Sequence, residues 1–282
     1  MKPKLFPSLI ILLLSTTLVF SQKAEKIKGS KVVTSSIQQV KPFTMIEVED
    51  NIEIYLEKGP KSEIKIEADD NLHDVISLKV KNNILIISTS KEIQGFKKLS
   101  VKVTYTNDLN LITTKDESII TAIQEISLDT ITFKSLDKSK LFLNVNAGNF
   151  NLLADDKSKI ELNLKSETSF IELSKNSTLK ALINSAELKC DLYQKSSAII
   201  EGDSDNSIIR IDNLAELNAS KFNSKTSDLT IEGKASCSLL VENNFTLDAN
   251  DNTEINVYGN PKIEIRKFSG EAKLLKKLPL KK

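Results

Sequence analysis

The chain has 282 residues, 39 Lys+Arg against 38 Asp+Glu, one His, two Cys and no Trp. A formal charge of +1 offers no basic excess for nucleic acid, and a single histidine excludes a multi-histidine metal centre. No sustained i, i+3, i+4 apolar spacing is present, so an all-helical domain is excluded as well.

In chain order, residues 1–21 read as a signal peptide. Lys2 and Lys4 form a basic start, Leu9 to Phe20 an apolar stretch, and Val19 and Ser21 fit a cut before Gln22. The stretch is shorter than the about 17–25 apolar residues of a membrane-spanning helix. No Cys follows it to take a lipid anchor, so the expectation is an exported chain without stable membrane insertion after cleavage. From Gln22 on, 37 Lys+Arg face 38 Asp+Glu, a net −1. All but Arg210 and Arg266 of those cations are Lys, which disfavours bidentate recognition of phosphate or carboxylate.

Residues 22–42 are polar, with Lys28-Gly29-Ser30 near the front, and are expected to be a partly mobile lead-in segment. Period-2 alternation starts at Phe43 and runs through Ile46, Val48, Ile52, Ile54 and Leu56. Lys58-Gly59-Pro60-Lys61 interrupts it as a connection, because Pro does not sit inside a central strand. Strand spacing returns at Ile64-x-Ile66, Leu78-x-Val80, Ile84 to Ile87 and Val101-x-Val103-x-Tyr105, with one helical turn expected at Asn71 to Ile76. Residues 43–113 thus read as β-rich but not repetitive.

From residue 114 a unit recurs: a small residue, then two apolar ones at alternate positions. The small positions are Ser118, Ser139, Ser158, Ser177, Ser196, Ala215, Ala235 and Thr253, at spacings of 21, 19, 19, 19, 19, 20 and 18. A fixed period of this size signals a solenoid, and alternation within the unit makes it a strand. Asp116, Asp137, Asp156, Asn213 and Asp251 mark the preceding turns. The fold expected is all-β: a right-handed parallel β-helix over 43–272 as one domain, with coils at 114–267, since crossovers between parallel strands are right-handed in most cases. The N-terminal part would cap one end, Tyr258-Gly259-Asn260-Pro261 onward would close the other, and 273–282 would be a basic tail. Cys190 and Cys237 both fall on the apolar register in coils three apart, which predicts buried thiols without a disulfide.

With these motifs in place, the chain resembles the head GIN domain, or auto-transporter adhesin, family of exported bacterial envelope proteins. The resemblance rests on Lys31-Val32-Val33-Thr34, Phe43-x-x-Ile46-x-Val48, Ile54-x-Leu56-x-x-Gly59, Asp70-Asn71-Leu72 and Leu99-x-Val101-x-Val103. It continues through the Ser-centred repeats to Tyr258-Gly259-x-Pro261 and Ser269-Gly270, covering about 31–272. It implies a β-helix-like fold, export and a periplasmic, outer-membrane-surface or extracellular role. It supplies no catalytic residues. The chain departs from the pattern in having few Gly in its repeats, with Ser in their place.

Searched for chemistry, the sequence yields no catalytic, cofactor-binding or metal site, and no cofactor is implied. His73 is the one possible base, beside the predicted helical turn, and reads as an exposed histidine without a catalytic role. Glu201 to Asn206 and Asp248 to Asn252 hold oxygen donors but lack calcium-loop spacing. Asp155 and Asp156 are adjacent rather than opposed, unlike the two carboxylates of a glycosidase. The absence of Trp and the scatter of Tyr55, Tyr105, Tyr193 and Tyr258 remove the aromatic platforms of a sugar site. The expectation is a non-enzymatic, adhesin-like interaction module whose partner is a surface or periplasmic protein or a glycan, not nucleic acid. The alternatives are an envelope-stress sensor that binds another periplasmic protein, and a polysaccharide lyase or hydrolase.

Overall fold

A computed structural model describes residues 25–278; the signal-peptide stretch lies outside the described residues. The first strands are β1 (Lys26–Lys28), β2 (Val33–Gln39), β3 (Met45–Val48), β4 (Glu53–Lys58) and β5 (Glu63–Asp69). A 3₁₀ turn, Asp70–Val75, leads to β6 (Ile76–Lys81), β7 (Ile84–Thr89), β8 (Glu92–Gln94) and β9 (Leu99–Tyr105). The repeats follow as β10 (Leu111–Thr114), β11 (Ile119–Ala122), β12 (Ile126–Ser135), β13 (Lys140–Ala154), β14 (Lys159–Leu173) and β15 (Thr178–Leu192). The chain ends in β16 (Ser197–Ile211), β17 (Glu216–Ile231), β18 (Ser236–Ala249), β19 (Glu254–Gly259), β20 (Lys262–Phe268) and β21 (Lys273–Lys276).

Stacked parallel coils of about 19 residues build a β-solenoid of about nine turns. In β14 the alternation buries Ile160, Leu162 and Leu164, then slips at Glu167 and Thr168, which both face out, and resumes with Ser169, Ile171 and Leu173. Two consecutive outward residues make a corner without breaking the strand. The other corner is the turn Asp155–Lys157. There Asp116, Asp137, Asp156, Lys175, Gln194, Asn213 and Asp251 hold φ between 55° and 63°, joined by Gly233 and Gly270. Asp and Asn tolerate this left-handed conformation best, which explains their recurrence. Each turn also leans on the previous one: Lys157 N donates to Asp137 O at 2.6 Å, Asn176 N to Asp156 O at 2.7 Å, and Leu214 N to Gln194 O at 2.7 Å.

The part without a repeat signature also contributes coils, and it does so out of chain order. β3 pairs in parallel with both β7 and β10, so Ile46 lies between Leu85 and Ile112. β4 pairs likewise with β9 and β11, so Ile54 lies between Val101 and Ile120. The chain therefore enters at the second layer, leaves to build the outermost one, and returns on the far side. Beyond that layer, antiparallel strands finish the sheets: β5 on β9, β2 on β5, and β6 on β7. The lead-in segment, expected to be partly mobile, forms β2 and also β1, which pairs with β8.

At the opposite end the expected closure after Tyr258 is not found among the described residues. β20 and β21 continue the stack and are bonded on one side only, to β18 and β19. Ile263, Ile265 and Phe268 are 42%, 50% and 44% exposed, whereas Phe245, Leu247 and Ala249 in the same register one coil earlier are fully buried.

The small residues that open each repeat form a buried column. Ser118, Ser139 and Ser177 donate to the carbonyls of Lys115, Leu136 and Ser174 at 2.8, 2.7 and 2.7 Å. The hydroxyls of Ser158 and Ser196 have no partner among the described residues, and Ala215 and Ala235 occupy the same column. Small volume is thus the common requirement and the hydroxyl is optional. Ser177→Leu is expected to overpack the bend and cost about 1–3 kcal/mol. Thr178→Leu, on the outer side, should change stability by no more than roughly 0.5 kcal/mol. Ser177→Ala should lose about 1 kcal/mol with its hydrogen bond, and Ser158→Ala should be neutral or stabilising. Denaturation midpoints of the four variants check both the register and the role of the hydroxyl.

Candidate functional site

Several of the side chains that could carry chemistry are tied to structural partners. His73 is half-buried rather than exposed: Thr34 Oγ1 lies 3.0 Å from Nε2 and Ser36 Oγ 3.1 Å from Nδ1. Both ring nitrogens face hydroxyls of β2, so no carboxylate orients the imidazole as a catalytic base requires. His73 instead pins β2 to the 3₁₀ turn.

Asp69, which the sequence did not mark, is fully buried at the same end. Its Oδ2 accepts from Lys31 N at 2.8 Å, its Oδ1 from Lys98 N at 3.0 Å, and both oxygens from Lys97 N at 3.1 Å. Gly29 passes so close that a Cβ there would lie 2.2 Å from Oδ2, which accounts for the glycine. Burial pushes this carboxyl up, but the N–H groups of Lys98, Lys31 and Lys97 outweigh it and hold it below the ordinary aspartate range. A depressed carboxyl stabilises the fold above its unfolded pKa, and that contribution is lost as pH falls through the folded value. Acidification below about pH 4 is therefore expected to release the lead-in segment. Hydrogen exchange of residues 26–39 across pH 2–7 should show it, and Asp69→Asn should give high exchange at every pH.

The acidic motifs are similarly engaged. Lys175 Nζ reaches Asp155 at 3.0 Å and Asp156 at 2.7 Å, and Ser174 Oγ donates to Asp155 at 2.5 Å. Glu201 pairs with Lys221 at 3.0 Å and Asp205 with Lys225 at 2.6 Å, while Asp251 accepts from Gly233 N at 3.0 Å. The carboxyls that leave their ordinary range, Glu67, Asp69, Glu117 and Asp155, all do so downward. None of these is held protonated for general-acid work. Glu161 and Lys180 stand opposite each other in adjacent coils, as their shared repeat position predicts.

What the coils do present is two long outward faces. On one, Asn149 and Thr168 form a ladder in which Thr168 Oγ1 donates to Asn149 Oδ1 at 2.7 Å. Beside it Lys189 Nζ sits 4.9 Å over the Phe170 ring, followed in register by Ile208 and Asp228. A shallow groove of about 610 Å³ crosses these coils, from Asn149 to Asp228. On the other face Phe142, Leu182 and Ile199 are 38%, 47% and 45% exposed around an Asn163 to Asn144 bond of 3.0 Å. The repeat fixed which positions face out. It gave no signal for a groove, because that depends on side-chain sizes in five adjacent coils.

Cys190 and Cys237 are free and buried, and burial raises both thiols. Thiol labelling of the folded protein is expected to be negligible, rising to two groups per chain after denaturation.

Residues 42–261 match the family described as "Putative auto-transporter adhesin, head GIN domain". Among solved structures, a putative adhesin from Parabacteroides merdae ATCC 43184 superposes with a TM-score of 0.63 at 16% identity, over 90% of this chain and 99% of that one. A putative adhesin from Parabacteroides distasonis ATCC 8503 gives 0.61 at 16% identity, over 89% and 100%. A putative lipid binding protein from the same strain gives 0.58 at 15%, over 89% and 99%. At these identities the likeness is one of fold. No curated protein matches the chain in sequence.

Proposed function

The chain belongs to the head GIN domain family, described as "Putative auto-transporter adhesin, head GIN domain", and from that membership we propose that it is an exported, non-enzymatic envelope or cell-surface module that binds through the outer faces of its coils. The observation that carries this reading is the groove that runs from Asn149 to Asp228, an apolar and amide-bearing strip on a rigid sheet. Such a strip offers contact area and hydrogen-bonding side chains already fixed in place, so little conformational entropy is lost on binding. Phe170 supplies an apolar platform, and Lys189 above it supplies a cation. The four carboxyls that leave their ordinary range, Glu67, Asp69, Glu117 and Asp155, are shifted down and lie outside the groove. A surface protein or a glycan is the class of partner that such a face takes.

The expected outcome is that the purified exported protein binds surface glycans or envelope proteins in a panel assay and leaves acidic and neutral polysaccharides intact. The double variant Phe170→Ala/Lys189→Ala should weaken that binding at least about 10-fold without a lower melting temperature. Turnover of any polysaccharide would overturn the reading, as would undiminished binding by the double variant.

A further inference from the structure

The uncovered end of the solenoid has a chemistry unlike the rest of the rod. Its last coil leaves Ile263, Ile265 and Phe268 about half exposed in the register that is buried everywhere below them, with Leu275 also exposed on β21. Around them, residues 262–278 carry six Lys+Arg against two Asp+Glu, a net +4. Residues 22–261 carry 29 against 36, a net −7. Charge that is balanced across the chain is thus segregated along the rod.

Only two carboxylates, Glu264 and Glu271, stand among the lysines of this end. On the coils some lysines pair with carboxylates, as Lys138 does with Glu117, Lys175 with Asp155 and Asp156, and Lys221 with Glu201, while others such as Lys159, Lys180 and Lys195 make no ion pair among the described residues. Lys262, Lys267, Lys273 and Lys277 make no ion pair among the described residues. Arg266 is the exception, turned back along the rod to Asp228 and Asp248. Unpaired cations that ring exposed apolar side chains fit an anionic, amphipathic surface, where the lysines meet headgroup phosphates and the apolar groups enter the interface. We propose that the open C-terminal end of the solenoid docks on an anionic lipid surface and stands the rod upright on it. The anionic body enforces that orientation, since the surface that attracts the end repels the sides. A second copy that presents its own C-terminal end to this one meets like charge, and the lysines guard the open strand edges against that pairing.

The test is co-sedimentation of the exported protein with vesicles of phosphatidylcholine alone or with 30 mol% phosphatidylglycerol. Binding is expected to the anionic vesicles only, and to fall steeply between 50 and 300 mM salt. Lys273→Ala/Lys277→Ala should weaken it roughly 30-fold at low salt. Ile265→Ser/Phe268→Ser, at positions already exposed, should reduce it at least about 10-fold with the fold intact by circular dichroism. Lys138→Ala/Lys159→Ala, on the coils, should leave it unchanged. Absence of binding to anionic vesicles, or equal loss in the coil variant, overturns the proposal. So does a dimer in light scattering that Ile265→Ser/Phe268→Ser dissolves without any change in vesicle binding, because the end then serves a second copy. These arms do not involve the groove at Phe170, so they succeed or fail independently of the partner proposed for it.

Discussion

Register between adjacent coils is the constraint on which everything else in this molecule depends. A strand side chain that slips by one position moves from core to solvent, so a coil that is one residue out of step with its neighbour would expose its whole apolar set. Here the register is fixed twice per coil. The turn residue at positive φ sets where the strand begins, and the backbone bond from the next turn residue to the previous coil, as from Lys157 N to Asp137 O, sets it against its neighbour. Where the spacing departs from 19, as in the 20 residues from Ala215 to Ala235, the ladder absorbs the extra residue of that coil by register shifts at Ile199–Glu201 against the coil before it and at Ala219–Asn223 against the coil after it. The turns stay aligned throughout, and so does the buried column of small residues.

The repeats were legible because this constraint writes itself into the sequence. Only Ser, Ala or Thr fits the column, only Asp, Asn or Gly sits easily in the left-handed turn, and the apolar positions follow at fixed distance. Lys175 and Gln194 break the turn rule and are carried by the coils above and below them. The coils of β3, β4, β7 and β9 were not legible for a different reason. Their neighbours in space are not their neighbours in sequence, so no period can form. The open end was missed because Ile263 and Ile265 have the same alternating spacing as buried strands; alternation reports a preferred face, not whether anything covers it. His73 and Asp69 show the same limit for polar groups. Their partners, Ser36 on β2 and the N–H groups of Lys31, Lys97 and Lys98, come from segments 28–38 residues away.

Polar chemistry in this chain is spent on stacking. Asn, Thr and Ser on the outer columns bond to the same position one coil away, and Lys and carboxylates pair in the same direction. Exposed apolar surface appears where that pattern fails: at Phe170 and Ile208 on one face, at Phe142, Leu182 and Ile199 on the other, and at the last coil. Binding in such a rod is a property of surfaces left over after the ladder is complete, which is why the architecture is so much clearer than the ligand.

The out-of-order layer has a mechanical meaning. In a simple solenoid, tension on one end can strip coils singly, because each is held by one remaining interface. Here the layer formed by β3 and β4 has neighbours on both sides, β7 and β9 beyond it and β10 and β11 behind it, and turn contacts such as Asp50 N to Asp116 Oδ2 span 66 residues. Pulling on the N-terminal segment therefore cannot free the first coil of the chain without also dismantling the outermost one. The rod carries a locked bolt at that end, and it is able to bear load there as a single unit while the later coils can pay out one at a time.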